Sequence, residues 1–160
     1  MCGYAGFYLN YKSSSQGEME TTITKMANSL EHRGPDDLGI WLDSNKPIAF
    51  GHRRLSIVDI SALGHQPMTS SNNKYVMAFN GEIYNHTQLR KELDSINPGL
   101  NWNGHSDTET LLAGFEVWGI KKTLGKVVGM FSIALWECDS HTLHLIRDRF
   151  GEKPLYYGWI

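Results

Sequence analysis

Apolar positions along this chain alternate between a strand-like and a helix-like period, and the switches mark out its elements. Gly3 to Leu9 (GYAGFYL) mixes small residues with Tyr4, Phe7, Tyr8 and Leu9, which predicts a buried strand with Cys2 at its mouth. Tyr11 to Gly17 is polar and serine-rich, a loop. From Glu18 the positions Met19, Ile23, Met26, Ala27 and Leu30 recur at helical spacing. That helix ends at His32-Arg33-Gly34-Pro35-Asp36-Asp37, where glycine supplies a stop and proline prevents continuation. Leu38 to Leu42 and Ile48 to Gly51 read as a hairpin about Asp43-Ser44-Asn45-Lys46, and His52-Arg53-Arg54 leads into a third apolar run, Leu55 to Asp59.

The second half follows the same logic. Gly64 to Met68 and Ser70 to Asn73 are loop, and Tyr75 to Phe79 is a strong strand ending at Asn80-Gly81. Asn-Gly is the commonest tight-hairpin signal. Here, however, Glu82-Ile83-Tyr84-Asn85 runs straight into a helix whose core face is Leu89, Leu93 and Ile96, capped by Asn85 or Thr87. Ser106-Asp107-Thr108-Glu109 fits a capping box ahead of a helix with Leu111, Leu112, Phe115 and Trp118 inward, closing at Gly119. Ile120 to Val128 is a further short helix or turn. Met130 to Trp136 and Thr142 to Ile146 pair about Asp139-Ser140, and Pro154 to Ile160 begins another strand, in which the chain looks cut.

Composition narrows the class. At 160 residues the chain suits one domain with a continuous core. A net charge of -2 with 20% charged residues offers no field for nucleic acid or an anionic membrane. No apolar run approaches the ~20 residues of a membrane span. Two cysteines, Cys2 and Cys138, form no disulfide framework, which suits a reducing, cytoplasmic setting. The histidines are scattered, and His141 and His144 would face opposite ways on a strand, so no metal site is expected.

Met1-Cys2-Gly3 carries the candidate chemistry. Removal of Met1 would leave a cysteine with both a thiol and a free α-amine. Such groups ordinarily titrate near ~8.5 and ~8, so one residue can act as nucleophile and base at neutral pH. Position alone would equally suit a small residue opening a strand.

Several further motifs bear on that choice: His32-Arg33-Gly34-Pro35-Asp36, Arg54-Leu55-Ser56-Ile57-Val58-Asp59, Gly64-His65-Gln66-Pro67, Asn80-Gly81-Glu82-Ile83-Tyr84-Asn85, Ser106-Asp107-Thr108-Glu109, Gly129-Met130-Phe131 and Arg147-Asp148-Arg149-Phe150-Gly151. With Cys2-Gly3, and in this order, the set resembles the glutaminase domain of glutamine-hydrolysing asparagine synthetases, a class II glutamine amidotransferase domain. Phosphoribosyl-amidotransferases and hexosamine-phosphate synthases are more distantly similar. The resemblance implies an α+β N-terminal-nucleophile hydrolase, a four-layer αββα sandwich with two antiparallel sheets.

It also implies roles. Cys2 would attack the amide of L-glutamine and form a thioester, with the Asn80 side-chain amide and the Gly81 N–H holding the oxyanion. Arg54 would clamp the α-carboxylate, and Asp107 and Glu82 would receive the α-ammonium. Taken singly, Arg54 reads as a surface ion pair, Asp107 as a first-turn helix acid and Glu82 as a solvated acid. His32, Arg33 and Asp36 are expected as architecture, Arg147, Asp148 and Arg149 as internal ion pairs fixing a late loop, and Cys138 as a structural thiol. Leu55, Ile57 and Val58 could line the pocket through backbone carbonyls. No cofactor is expected in this domain. ATP and Mg²⁺ belong to a synthetase domain that residues 1–160 do not contain, and that C-terminal domain is the expected partner. A non-catalytic glutamine-binding module, an amidohydrolase for another amide, a different acceptor such as a sugar acid, and self-association into a homo-oligomer all remain open.

Overall fold

A computed structural model describes residues 2–9, 15–56 and 61–159. The strands are β1 (Gly3–Tyr8), β2 (Asp37–Leu42), β3 (Ile48–Arg54), β4 (Met68–Thr69), β5 (Tyr75–Ile83), β6 (Gly129–Glu137) and β7 (Thr142–Arg147). The helices are α1 (Gln16–Asn28), α2 (His86–Ile96), α3 (Asp107–Trp118) and α4 (Ile120–Lys126). One antiparallel sheet has the order β1-β3-β2 and the other β4-β5-β6-β7.

Strand alternation builds the layers. On β5, Val76 and Ala78 point toward the first sheet and meet Ile48, Phe50, Ala134 and Trp136. Their neighbours Tyr75, Met77 and Phe79 point the other way, onto Leu89 of α2 and Leu111, Leu112 and Phe115 of α3. Both faces of β5 are therefore buried from Tyr75 to Phe79, which is why that part of its sequence is apolar without a break. On the far side of the first sheet, Met19 and Ile23 of α1 pack on Ala49. Helix, sheet, sheet and helices thus stack as the αββα sandwich expected of an N-terminal-nucleophile hydrolase.

Several boundaries differ from the pattern-based reading. The second hairpin strand continues through His52 and Arg53 to Arg54, because β1 pairs with it as far as Arg53 and β2 as far as Arg54. Likewise β5 runs through Asn80 and Gly81 to Ile83, held by β6. Met68–Thr69 is a short strand where a loop was expected. Ile96 is 59% exposed, since α2 reaches the core only with Leu89 and Leu93. Asn85 occupies the cap position of α2 without capping it; its side chain instead donates to Lys126 O and accepts from Val128 N–H. Ser106 caps α3, but Glu109 turns its carboxylate to the N–H groups of Asn103 and Gly104 instead of closing the box. Residues Pro154 to Trp159 form no strand, because their backbone enters neither ladder, and Tyr156, Tyr157 and Trp159 are exposed. The expected loop residues Tyr11 to Ser14, and Ile57, Val58 and Asp59 of the third apolar run, lie outside the described residues.

Candidate active site

Cys2 enters β1 where Gly3 pairs with Arg53 of β3. Arg33 Nε donates to the Cys2 carbonyl at 3.3 Å, which anchors the start of the chain from the turn after α1. The thiol rests on Leu55, whose N–H donates to Sγ at 3.3 Å and whose carbonyl lies 3.7 Å from it. Asp36 accepts the next N–H, from Ser56, at 2.8 Å. Arg33 and Asp36 are thus architecture, and they shape the wall against which the nucleophile sits.

Arg54 closes β3, is 7% exposed and donates from Nη1 to Ser61 O at 2.7 Å. Gly64 lies so close over its guanidinium that a Cβ there would collide with Nη2. A residue that reads singly as a surface charge is in fact a buried cation with a fixed direction.

The edge of β5 supplies the opposite wall. Strand β4 covers it only at Val76 and Met77, so beyond that point its N–H groups need other partners. Phe79 N–H donates to Gln66 Oε1 at 2.7 Å, and Ile83 N–H donates to Asp107 Oδ2 at 2.9 Å. Alternation turns the N–H of Gly81, midway between them, to the same edge, along the cavity. Phe131, opposite Gly81, faces away and exchanges bonds with Asp148 instead.

Asp107 opens α3 and is 7% exposed, and its Oδ1 also accepts from Thr108 N–H at 2.9 Å. Burial pushes its carboxyl above the ordinary aspartate value, against the opposing pull of the Ile83 N–H and of His86. Glu82 is exposed on β5. Cys2, Arg54, Asn80, Gly81, Glu82 and Asp107 all line one cavity of about 100 Å³.

Sequence reasoning missed other residues of its lining, notably Gln66 and Lys153. Lys153 is 4% exposed, and a lysine three residues after a turn motif carries no local signal of burial. The loop bearing it is collared by Asp148, which accepts from the N–H groups of Phe131, Phe150, Glu152 and Lys153. Arg147 and Arg149 hold the same region through the carbonyls of Lys153, Gly151, Val127 and Leu124. These charges fix the loop as expected, but by bonds to backbone and not by the ion pairs their sequence suggested. Cys138 packs against the inter-sheet core, and burial raises its thiol, as suits a structural residue. Among the described residues, no group of three or more His, Cys, Asp or Glu is placed to hold a metal, and no helix is long and apolar enough to cross a membrane.

Two antiparallel sheets between helical layers, with a thiol at the mouth of the first strand, are the layout of the N-terminal-nucleophile hydrolase fold. The chain belongs to the glutamine amidotransferase domain family, whose model matches residues 1–160. It is 40% identical over 160 residues to glutamine-hydrolyzing asparagine synthetase 1 of Bacillus subtilis (strain 168), covering 100% of this chain and 24% of that protein. It is 37% identical over 159 residues to asparagine synthetase 3 of the same organism, covering 98% of this chain and 25% of the relative. Among solved structures, glutamine phosphoribosylpyrophosphate amidotransferase from B. subtilis, complexed with ADP and GMP, matches with a TM-score of 0.49 and 26% identity, covering 62% of this chain and 23% of that one. The chain therefore spans about a quarter of the length of the curated relatives it matches, at 24% and 25%.

Proposed function

We propose that this chain hydrolyses L-glutamine to glutamate and ammonia through a thioester on Cys2. The observation that carries this reading is the meeting, in one cavity, of a thiol, a directed guanidinium, a buried carboxylate and the Asn80-Gly81 pair. A free amino acid carries a carboxylate and an ammonium on one carbon. Arg54 and Asp107 match those two charges, and Glu82 stands with Asp107 for the ammonium.

With Met1 removed, the α-amine of Cys2 takes the thiol proton while the sulfur attacks the side-chain amide carbon. The Leu55 N–H, already directed at Sγ, favours the developing thiolate. The carbonyl oxygen becomes an oxyanion held by the Asn80 amide and the Gly81 N–H. Collapse of that intermediate expels ammonia, protonated by the same amine, and water then attacks the thioester to release glutamate and restore the thiol. No histidine base is needed. The ammonia would serve a synthetase portion of a longer protein, which would use ATP and Mg²⁺ to activate an acceptor carboxylate such as that of aspartate. The resemblance to asparagine synthetases supports that wider reading.

The test is glutamate release by the purified chain, with an intact mass on the same sample and Cys2→Ala as control. Release lost in Cys2→Ala supports the reading. A processed, folded chain that releases none, or a Cys2→Ala chain that still does, overturns it.

A further inference from the structure

We propose that His52 and Gln66 are positioning residues that grip the backbone of Phe79 from two sides and thereby aim the Asn80 and Gly81 donors at the reacting carbonyl. The proposal rests on the glutaminase reading above and adds to it two residues that need not touch glutamine to act. Phe79 immediately precedes Asn80, so its carbonyl belongs to the same peptide plane as the Asn80 N–H. On an ordinary strand a neighbouring backbone would hold both polar groups of Phe79. Here the neighbour is missing, because β4 has ended.

Extending the Met68–Met77 register by two residues puts Gln66 opposite Phe79. Its backbone does not continue the ladder; its side chain does so, with Oε1 2.7 Å from the Phe79 N–H. The carbonyl is met from the other sheet, where His52 Nε2 lies 3.0 Å away. A carbonyl can only accept, so Nε2 carries the proton. His52 is fully buried on β3 and Gln66 is 5% exposed, so neither bond competes freely with water. One clamp thus fixes β5 against both the first sheet and the Gln66 turn, one residue ahead of the oxyanion donors.

The remaining nitrogen of His52 is buried without a hydrogen-bond partner, which suits a lone pair and not a second N–H. In keeping with this, burial drives the ring's pKa down to about 4, against the pull of Phe79 O and Asp37. His65 and Arg54 also face it and oppose protonation. The ring is therefore a neutral donor across the working range and not a proton shuttle.

The experiment compares His52→Leu, His52→Gln and Gln66→Leu, each alone and combined with Asn80→Ala. Loss of either clamp bond should lower kcat for glutamine ~10- to 100-fold with little change in KM, the pattern for a group acting on the transition state. His52→Gln, which can offer an amide N–H, should recover most of the loss and leave the pH profile of kcat/KM unchanged. In the Asn80→Ala background the clamp mutations should cost several-fold less than they do in the parent, because only the Gly81 N–H remains for them to aim. A folded His52→Leu chain with normal kcat, a His52→Gln chain as poor as His52→Leu, or fully additive losses would overturn the proposal. Should His52→Leu not fold, Gln66→Leu gives the same readouts.

A second readout does not need turnover. In a Cys2→Ala chain, amide exchange at Phe79 and Gly81 should quicken ~10-fold or more in Gln66→Leu or His52→Leu, and less in His52→Gln. Unchanged exchange would overturn the clamp even if glutamine is the substrate. Absence of glutamate release from the unmutated chain would instead sink the glutaminase reading while the exchange data still decide the clamp.

Discussion

Gly81→Ala is the smallest change that should disable the site without touching its charges. A Cβ at Gly81 would stand 2.7 Å from Phe131 Cα and collide with the Met130 carbonyl, both backbone atoms of β6. Carbon pairs settle at ~3.5–4.0 Å, so the strands must part locally by about 1 Å. That movement acts on the residue whose N–H is assigned to the oxyanion. A displacement of about 1 Å at a reacting centre costs roughly 10²-fold, equivalent to about 2.7 kcal/mol of barrier. The same overpacking should cost about 1–3 kcal/mol of stability, a fall in Tm of roughly 2–12 °C for a domain of this size. Steady-state glutamate release and a thermal melt on one sample measure both. Gly125→Ala is the control: nothing lies within 4 Å of a Cβ there, and in the helical setting of α4 it should hold or raise Tm with kcat unchanged. A folded Gly81→Ala chain whose kcat stays within ~3-fold of the parent would refute the placement of the Gly81 N–H at the oxyanion.

Three further outcomes are expected. Arg54→Lys keeps the charge but loses the two-pronged donor and the bond to Ser61, so KM for glutamine should rise about 10- to 100-fold with a smaller effect on kcat; an unchanged KM would remove Arg54 from the carboxylate site. Because burial raises Asp107 in the folded chain, its proton returns above the ordinary aspartate pH as the solution is acidified. Glutamine affinity should therefore fall between neutral pH and mild acid while circular dichroism still reports a folded chain, and Asp107→Asn should bind weakly with no such pH dependence. Asp148 behaves oppositely: burial raises its pKa, but the N–H groups of Lys153, Glu152, Phe131 and Phe150 outweigh that and bring it down to about 2. The stability it confers is present above the ordinary aspartate pKa and is lost as pH falls toward 2. Asp148→Asn should cost about 2 kcal/mol at pH 7 and little at pH 2, measured by thermal or denaturant unfolding; an equal cost at both would show that the charge is not what holds the loop.

Much was legible because local chemistry decides it. Helical spacing from Met19 to Ala27, the Ser106 cap and the unbroken apolar run of β5 each specify an element through interactions a few residues long. The six candidate site residues follow from the family resemblance of the motif set and not from local chemistry, and the fold brings all six to one cavity. Local pattern failed where an element's length depends on its neighbours. Asn80-Gly81 ordinarily turns a chain, yet β6 holds it in a strand, and Pro154 to Trp159 has strand-forming residues but no ladder to join.

Residue type and short-range spacing thus specify most of the elements, whereas Cys2, Arg54, Glu82 and Asp107 stand out as site candidates only through the ordered set of motifs that resembles one family. The tertiary structure alone decided which backbone groups of β5 lie bare along the cavity and which side chains, His52, Gln66 and Asp107, take up their neighbours. That outcome depends on where β4 stops and what the other sheet and α3 bring beside it. No residue's own chemistry encodes it, because a hydrogen bond between distant segments exists only once packing has set their separation and direction.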